Sequence, residues 1–321
     1  MRSSSSSPLR PFRFSASAGK VANGRELAER ARQAESLGYS VLTFSDHLAD
    51  KLAPVPAMAT VAAATEKLRF GTYVLNNDFR HPAVLAQELA SLDVLSDGRL
   101  EIGIGAGWNR PEYEQSGIPM DPIGTRIGRM AETLTVLKGL FAEGPFSFRG
   151  AHYSITAMEG GPKPVQKPHP PFLIGGGGRR VLGIGAREAQ IVGLAPRVGA
   201  AGGPDISSAL LSATEEKLHW IREAAGERIA ELEISTYPAL GRPLITDDAR
   251  PVLEELAAQL ASGYGVDVAV EDLRESPHVF VGTVDYLVEK FRNLRRTLGI
   301  SSIMLGPIAG LAPVVERLAG T

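Results

Sequence analysis

The stretch KLRFGTYVLNNDFRHPAVLAQELASLDVLSDGRLEIGIGAGWN, residues 67–109, decides the fold class. It begins with an apolar run at 68–75 and ends with another at 99–105. Near-continuous apolar runs of this length are expected of strands buried on both faces. Between them lies a helical stretch, 82–95, opened by Pro82. Strand, helix and strand in that order make a parallel βαβ unit.

The rhythm continues in both directions. Strand candidates also fall at 12–17, 40–45, 172–175, 190–194, 232–237 and 301–305, with helices at 24–37, 56–66, 126–141, 179–188, 207–225, 248–262 and 284–298. Such alternation fits either a closed barrel or an open doubly wound sheet. The open sheet normally carries a phosphate fingerprint after its first strand. Here that strand runs into SASAGKVANG, which is no such fingerprint, and the glycine-rich turns follow the fourth and fifth strands instead. The expectation is a single (β/α)8 TIM barrel over 11–321, behind a disordered tail at 1–10. Insertions are expected at about 108–125, 142–171 and 263–282; the second contains the hairpin-like FSFRGAHYSI. Long insertions beyond barrel strands usually shape a substrate pocket.

Composition narrows the chemistry. The chain has 321 residues, 44% hydrophobic and 22% charged, with a formal net charge of −2, so neither nucleic acid nor a membrane surface is an expected partner. There is no cysteine, which excludes disulfides, thiolate nucleophiles and Cys-ligated metals. The six histidines show no HxH or HExxH spacing, and no metal is expected. The serine-rich N-terminus has no apolar core of a signal peptide, and no run approaches a membrane span, so a cytoplasmic protein is expected.

Residues just past barrel strands face the active site. Four clusters qualify. Asp46-His47 ends the second strand; histidine can hold or release a proton near neutral pH, whereas a bland alternative has Asp46 capping a turn. Asn76-Asn77 ends the third, suited to the polar edge of a ring or simply to a turn. Gly103, Gly105 and Gly107, interleaved with Ile104 and Ala106, end the fourth and allow close backbone approach to a ligand or tight barrel packing. Trp108 follows as a natural wall for an aromatic ring. Gly175, Gly176, Gly177 and Gly178, then Arg179, lie between the fifth strand and a helix start, an arrangement that suits an anion. Together they suggest a large, flat, phosphate-bearing ligand.

The run SDHL, then RFGTYVLNNDFRHPAVLAQELASLDVLSDGRLEIGIGAGWNRPEYEQSGIP, resembles the luciferase-like flavin and deazaflavin oxidoreductases. PPFLIGGGGRRVLGIGAREAQIVGL and VFVGTVDYLVEKFRNLRRTLGISSIML are similar to the same family's phosphate loop and last barrel unit, and the likeness covers nearly the whole chain from Phe12. The flavour is that of the actinobacterial coenzyme F420 branch. The resemblance implies a deazaflavin ring at the barrel mouth, with FMN as the alternative, and a non-prolyl cis peptide at Tyr73–Val74 behind it. Asp46 and His47 match a pair near ring and substrate, Asn76 a contact to the pyrimidine edge, Ala106 and Gly107 backbone contacts to the cofactor, and Gly176, Gly177 and Gly178 the phosphate cradle; Gly105, Trp108, Gly175 and Arg179 are expected to join them in binding the cofactor.

The resemblance also implies the reaction. Hydride passes between deazaflavin C5 and a C=C, C=N or C=O (or alcohol) of a small organic substrate, with His47 moving the proton and Asp46 and Trp108 beside it. Trp108 stands where the family's sugar-phosphate dehydrogenases carry a catalytic Glu, so that substrate class is not expected. The alternatives are a two-component FMNH2-dependent monooxygenase and a non-catalytic flavin-binding barrel. A homodimer and a separate reductase that regenerates the cofactor are expected by analogy.

Overall fold

In a computed structural model of the protein, residues 9–49, 51–199 and 203–321 are described. The tail expected at 1–10 lies outside these residues as far as position 8. Eight parallel strands close on themselves: β1 (Arg13–Ser17), β2 (Val41–Phe44), β3 (Arg69–Thr72), β4 (Leu100–Gly105), β5 (Phe172–Gly176), β6 (Ile191–Leu194), β7 (Glu233–Thr236) and β8 (Ile300–Pro307). Neighbours follow sequence order, β8 pairs with β1, and Phe70 opposite Leu100 closes the ring between β3 and β4. This is the expected (β/α)8 TIM barrel, and seven of the eight strands lie within two residues of their expected places; the third, expected at 68–75, stops at Thr72 and resumes at Leu75–Asn76.

The crossover helices are α1 (Gly24–Ser36), α2 (Pro54–Ala64), α3 (Pro82–Leu95), α5 (Ile123–Phe141), α6 (Arg179–Glu188), α7 (Leu211–Ala225), α8 (Arg250–Tyr264) and α10 (Val284–Leu298). Three short helices escaped the sequence reading: α4 (Arg110–Ser116), α9 (Val270–Glu275) and α11 (Ala312–Leu318). Each is too short to show an apolar period. The hairpin forms as expected, with Phe146–Arg149 antiparallel to Ser154–Met158. A small apolar cluster of its own, including Leu240, Leu253, Leu260 and Leu273, organises the long excursion after β7.

Inside the barrel, Arg13 bridges Glu101 and Glu233, and Arg69 Nε donates to Glu101 at 2.6 Å. The four charges neutralise one another, which makes their burial tolerable. Above this layer the third strand breaks at the cis Tyr73–Val74 bond, then resumes at Leu75–Asn76 against Ile104 and Gly105. The alternate glycines of β4 make room for that bulge. A Cβ on Gly103 would lie 1.9 Å from the Thr72 carbonyl oxygen, and one on Gly105 2.7 Å from Val74. Gly105 therefore packs against Val74, the alternative that the sequence left open.

Candidate active site

The C-terminal ends of β2, β3, β4 and β5 deliver the expected residues to one mouth. His47, just past β2, places Nδ1 2.9 and 3.1 Å from the two carboxylate oxygens of Glu112. Its ring meets the Trp108 indole edge to face, centroids 6.0 Å apart. Trp108 is 48% exposed, so it forms an open wall of the mouth. With Nδ1–H donated to the carboxylate, Nε2 is the ring nitrogen left to exchange a proton.

Glu112 was not singled out from sequence. It lies in the first turn of α4, behind Pro111, where the pair Pro–Glu is a helix-start signal. That short signal was the one available clue. Glu112 is buried.

Asp46 is buried, and its carboxylate accepts from the Asn76 N–H at 3.0 Å and from Arg80 at 2.7 Å. It fastens β2 to the chain following β3. Asn76 Oδ1 accepts from the Asp78 N–H and from the Tyr113 hydroxyl, 3.1 and 3.0 Å away. Burial pushes the Tyr113 hydroxyl up to about 12, with Asp78 adding to the shift, so it stays protonated as a donor. The next residue, Asn77, is buried with both amide atoms lacking any partner in the structure. Such groups normally find partners, and the polar edge of a bound ring would provide them.

Gly107, at φ +74°, is crossed so closely that an added Cβ would lie 2.0 Å from the Tyr113 hydroxyl and 2.7 Å from Asn76 Oδ1. Arg126, from α5, donates to the carbonyl oxygens of Ala106 at 2.8 Å and of Gly107. This clamp on the loop also went unseen in the sequence, because it crosses between elements. Tyr73 stacks edge to face on Tyr237 at 5.7 Å, and burial raises its hydroxyl above the ordinary value. Val74 fills the space left by Gly103 and Gly105.

The fifth-strand glycines divide into two pairs. Gly175 and Gly176 end β5; a Cβ on Gly176 would meet Val181 at 2.6 Å. Gly177 presses on the chain after β6, where Ala195 O and Arg197 N would each be 2.6 Å from a Cβ. Gly178, by contrast, faces open space and caps α6 without any side-chain hydrogen bond. Free N–H groups at a helix start with room beside them suit a phosphate. Arg179 pairs with Glu223 at 2.8 Å on the exposed flank. An orphaned amide at Asn77 and an open cradle at Gly178 fit a flat, phosphate-bearing ligand. No group of ligating side chains that could hold a metal occurs among the described residues.

The chain is similar to an FMNH2-dependent dimethylsulfone monooxygenase of Pseudomonas putida, 33% identical over 40% of this chain and 35% of that one. It is also similar to an F420-dependent glucose-6-phosphate dehydrogenase of Microbacterium testaceum, 31% identical over 56% of this chain and 55% of that one. Its matches thus span about a third to just over half the length of these curated relatives. The F420-dependent tetrahydromethanopterin reductase of Methanopyrus kandleri shares the fold, at a TM-score of 0.74 and 19% identity over 95% of this chain and 96% of that one. Residues 7–275 match the family described as luciferase-like monooxygenase, and the chain belongs to that family.

Proposed function

We propose that the protein is a coenzyme F420-dependent oxidoreductase acting on a small organic substrate. The observation that carries this reading is the pairing, on one barrel mouth, of a carboxylate-oriented histidine with an open helix-terminal cradle. When bound, the deazaflavin would supply or accept a hydride at C5. The chain's own groups do the rest. The cradle at Gly177 and Gly178 holds the phosphate, Asn77 meets the polar ring edge, and Trp108 walls the mouth. His47 Nε2 donates the proton to a reduced substrate, or removes one in the reverse direction, while Glu112 holds the ring in the right tautomer. Relatives and fold neighbours described as F420-dependent support this choice.

An FMNH2-dependent monooxygenase is the second reading, favoured by the likeness to the dimethylsulfone enzyme. The cofactor decides, because a deazaflavin, with carbon in place of N5, activates oxygen poorly. Titration of the protein with oxidised F420 and with FMN, followed by tryptophan quenching and checked against Trp108→Phe, separates them. Micromolar F420 binding with weak FMN binding is expected, and the reverse preference would overturn the proposal. Within this reading the protein acts in the cytoplasm as a homodimer, as one domain over 11–321, with a separate reductase renewing the cofactor. Among the described residues no helix is long and apolar enough to cross a membrane.

A further inference from the structure

We propose that Lys217 of α7 is a positioning residue for the phosphate cradle, holding the stretch of chain against which Gly177 rests. The proposal rests on the reading of Gly177 and Gly178 as the seat of a cofactor phosphate. The helix turns Thr214, Lys217, Leu218, Ile221 and Ala225 into the protein. That spacing is the core face of an amphipathic helix, where a lysine is out of place. Lys217 is nonetheless only 1% exposed. A buried ammonium is costly unless its protons find acceptors.

The acceptors are main-chain oxygens. Lys217 Nζ donates to the carbonyl oxygen of Ala195 at 2.7 Å and to that of Ser208 at 2.5 Å. Ala195 lies just past β6 and Ser208 just before α7, so one side chain gathers both ends of the excursion between them. Ser208 reinforces the arrangement: its hydroxyl accepts from the Arg197 N–H at 2.7 Å and donates to the Asp205 carbonyl oxygen at 2.6 Å.

The Ala195 carbonyl oxygen links this cluster to the cradle. A Cβ on Gly177 would lie 2.6 Å from that same oxygen, and as close to the Pro196 carbonyl carbon and the Arg197 nitrogen. The Ala195 N–H donates in turn to the Gly176 carbonyl oxygen at 3.0 Å. The chain at 195–197 is thus the surface that sets where Gly177 lies, and with it the free N–H groups that open α6. Bonds from an ammonium are stronger than those from a neutral amine. Burial pushes the Lys217 ammonium down to about 8, with Arg197 adding to the shift and Asp205 and Glu216 opposing it. His278, the other titratable group that feels this charge, is neutral above about pH 4. The hold on Ala195 therefore weakens as pH rises through about 8.

The test is equilibrium binding of two ligand pairs whose members differ only in the phosphate group. One is the ribityl deazaflavin with and without its phosphodiester, and the other is FMN with riboflavin. The ratio of affinities within a pair cancels the titration of the ring. In the wild type the preference for the phosphate-bearing deazaflavin should fall about two- to threefold as pH rises from about 7 to about 9. Lys217→Met keeps the apolar stem; it should cut the preference about tenfold and flatten its pH dependence, with the phosphate-free ligand bound as in wild type. Lys217→Gln retains an N–H donor and should recover part of the preference. A Met variant that keeps the wild-type preference, or that weakens both members of the pair alike, would overturn the positioning role. So would a wild-type preference that stays flat across this pH range, a measurement that stands even if Lys217→Met does not fold. Binding of the flavin pair with no deazaflavin bound would overturn the proposed function instead, and the same ratio for FMN and riboflavin would then decide on Lys217.

Discussion

The group on which the proposed chemistry turns is one imidazole. His47 is a flexible side chain at a barrel mouth, and an unheld ring would sample both tautomers and several rotamers. Glu112 removes that freedom by accepting at Nδ1, from a helix that comes after β4 rather than β2. Its role is that of a positioning residue, and the acceptor matters more than the charge. Glu112→Gln keeps an oxygen that can accept Nδ1–H, so turnover should fall by no more than about tenfold. Glu112→Leu frees the ring and should cost about a hundredfold in kcat, approaching His47→Ala, while cofactor affinity stays near wild type. Steady-state rates at saturating cofactor, with the Kd measured beside them, check this. A Glu112→Leu enzyme with full turnover would remove Glu112 from the site.

At the scale of elements, the start of α6 shows how one glycine run does two jobs. Gly177 is needed for packing, because backbone atoms of 195–197 occupy the place of a side chain. Gly178 has extended dihedrals and nothing within 4 Å of a would-be Cβ, so alanine fits there without displacing protein atoms. Gly177→Ala should therefore lower stability by about 2–3 kcal/mol through overpacking. Gly178→Ala should change stability by less than about 1 kcal/mol, the size of a helix-cap effect, yet weaken cofactor binding about tenfold. Denaturant unfolding together with cofactor titration resolves the pair. Unchanged cofactor affinity in Gly178→Ala would place the phosphate elsewhere. The clamp of Arg126 on the Ala106 and Gly107 carbonyls belongs to this scale too, since it ties α5 to the loop after β4.

At the scale of the molecule, the closed barrel buries groups that open solvent would leave ionised. His278 is fully buried behind the mouth, its Nδ1 2.9 Å from the Tyr237 carbonyl oxygen and its Nε2 unpartnered. Burial pushes its pKa down from 6.5 to about 4, with Lys217 and Lys290 acting in the same direction against the Tyr237 hydrogen bond. The unfolded chain takes up this proton near pH 6.5 and the folded chain does not until about pH 4. The unfolded state then binds more protons, so stability falls as pH drops through that window and is unaffected by this group above it. The loss amounts to roughly 3 kcal/mol for a shift of this size. His278→Gln should flatten the stability profile between pH 6.5 and 4 relative to wild type, as read by denaturant midpoints. Identical slopes in the two proteins would show that His278 is not the source.

The sequence by itself determined the alternation of strands and helices, because burial of both strand faces writes apolar runs that survive without any tertiary information, and the lack of a phosphate fingerprint after the first strand favoured a barrel over an open sheet. It also placed His47, Trp108 and the Gly175–Gly178 run at the mouth, since strand ends in a barrel share one rim. Tertiary structure alone decided what those residues do for one another. Asp46 is spent on Arg80 and Asn76, the unpartnered amide sits on Asn77 beside an internally bonded Asn76 carbonyl, and Gly103 and Gly105 yield to the bulge at Val74. Glu112 reaches His47 across 65 positions of sequence. Local pattern records which face of an element is buried, whereas the partner of a polar group is set by where other elements arrive, and no period along the chain encodes that.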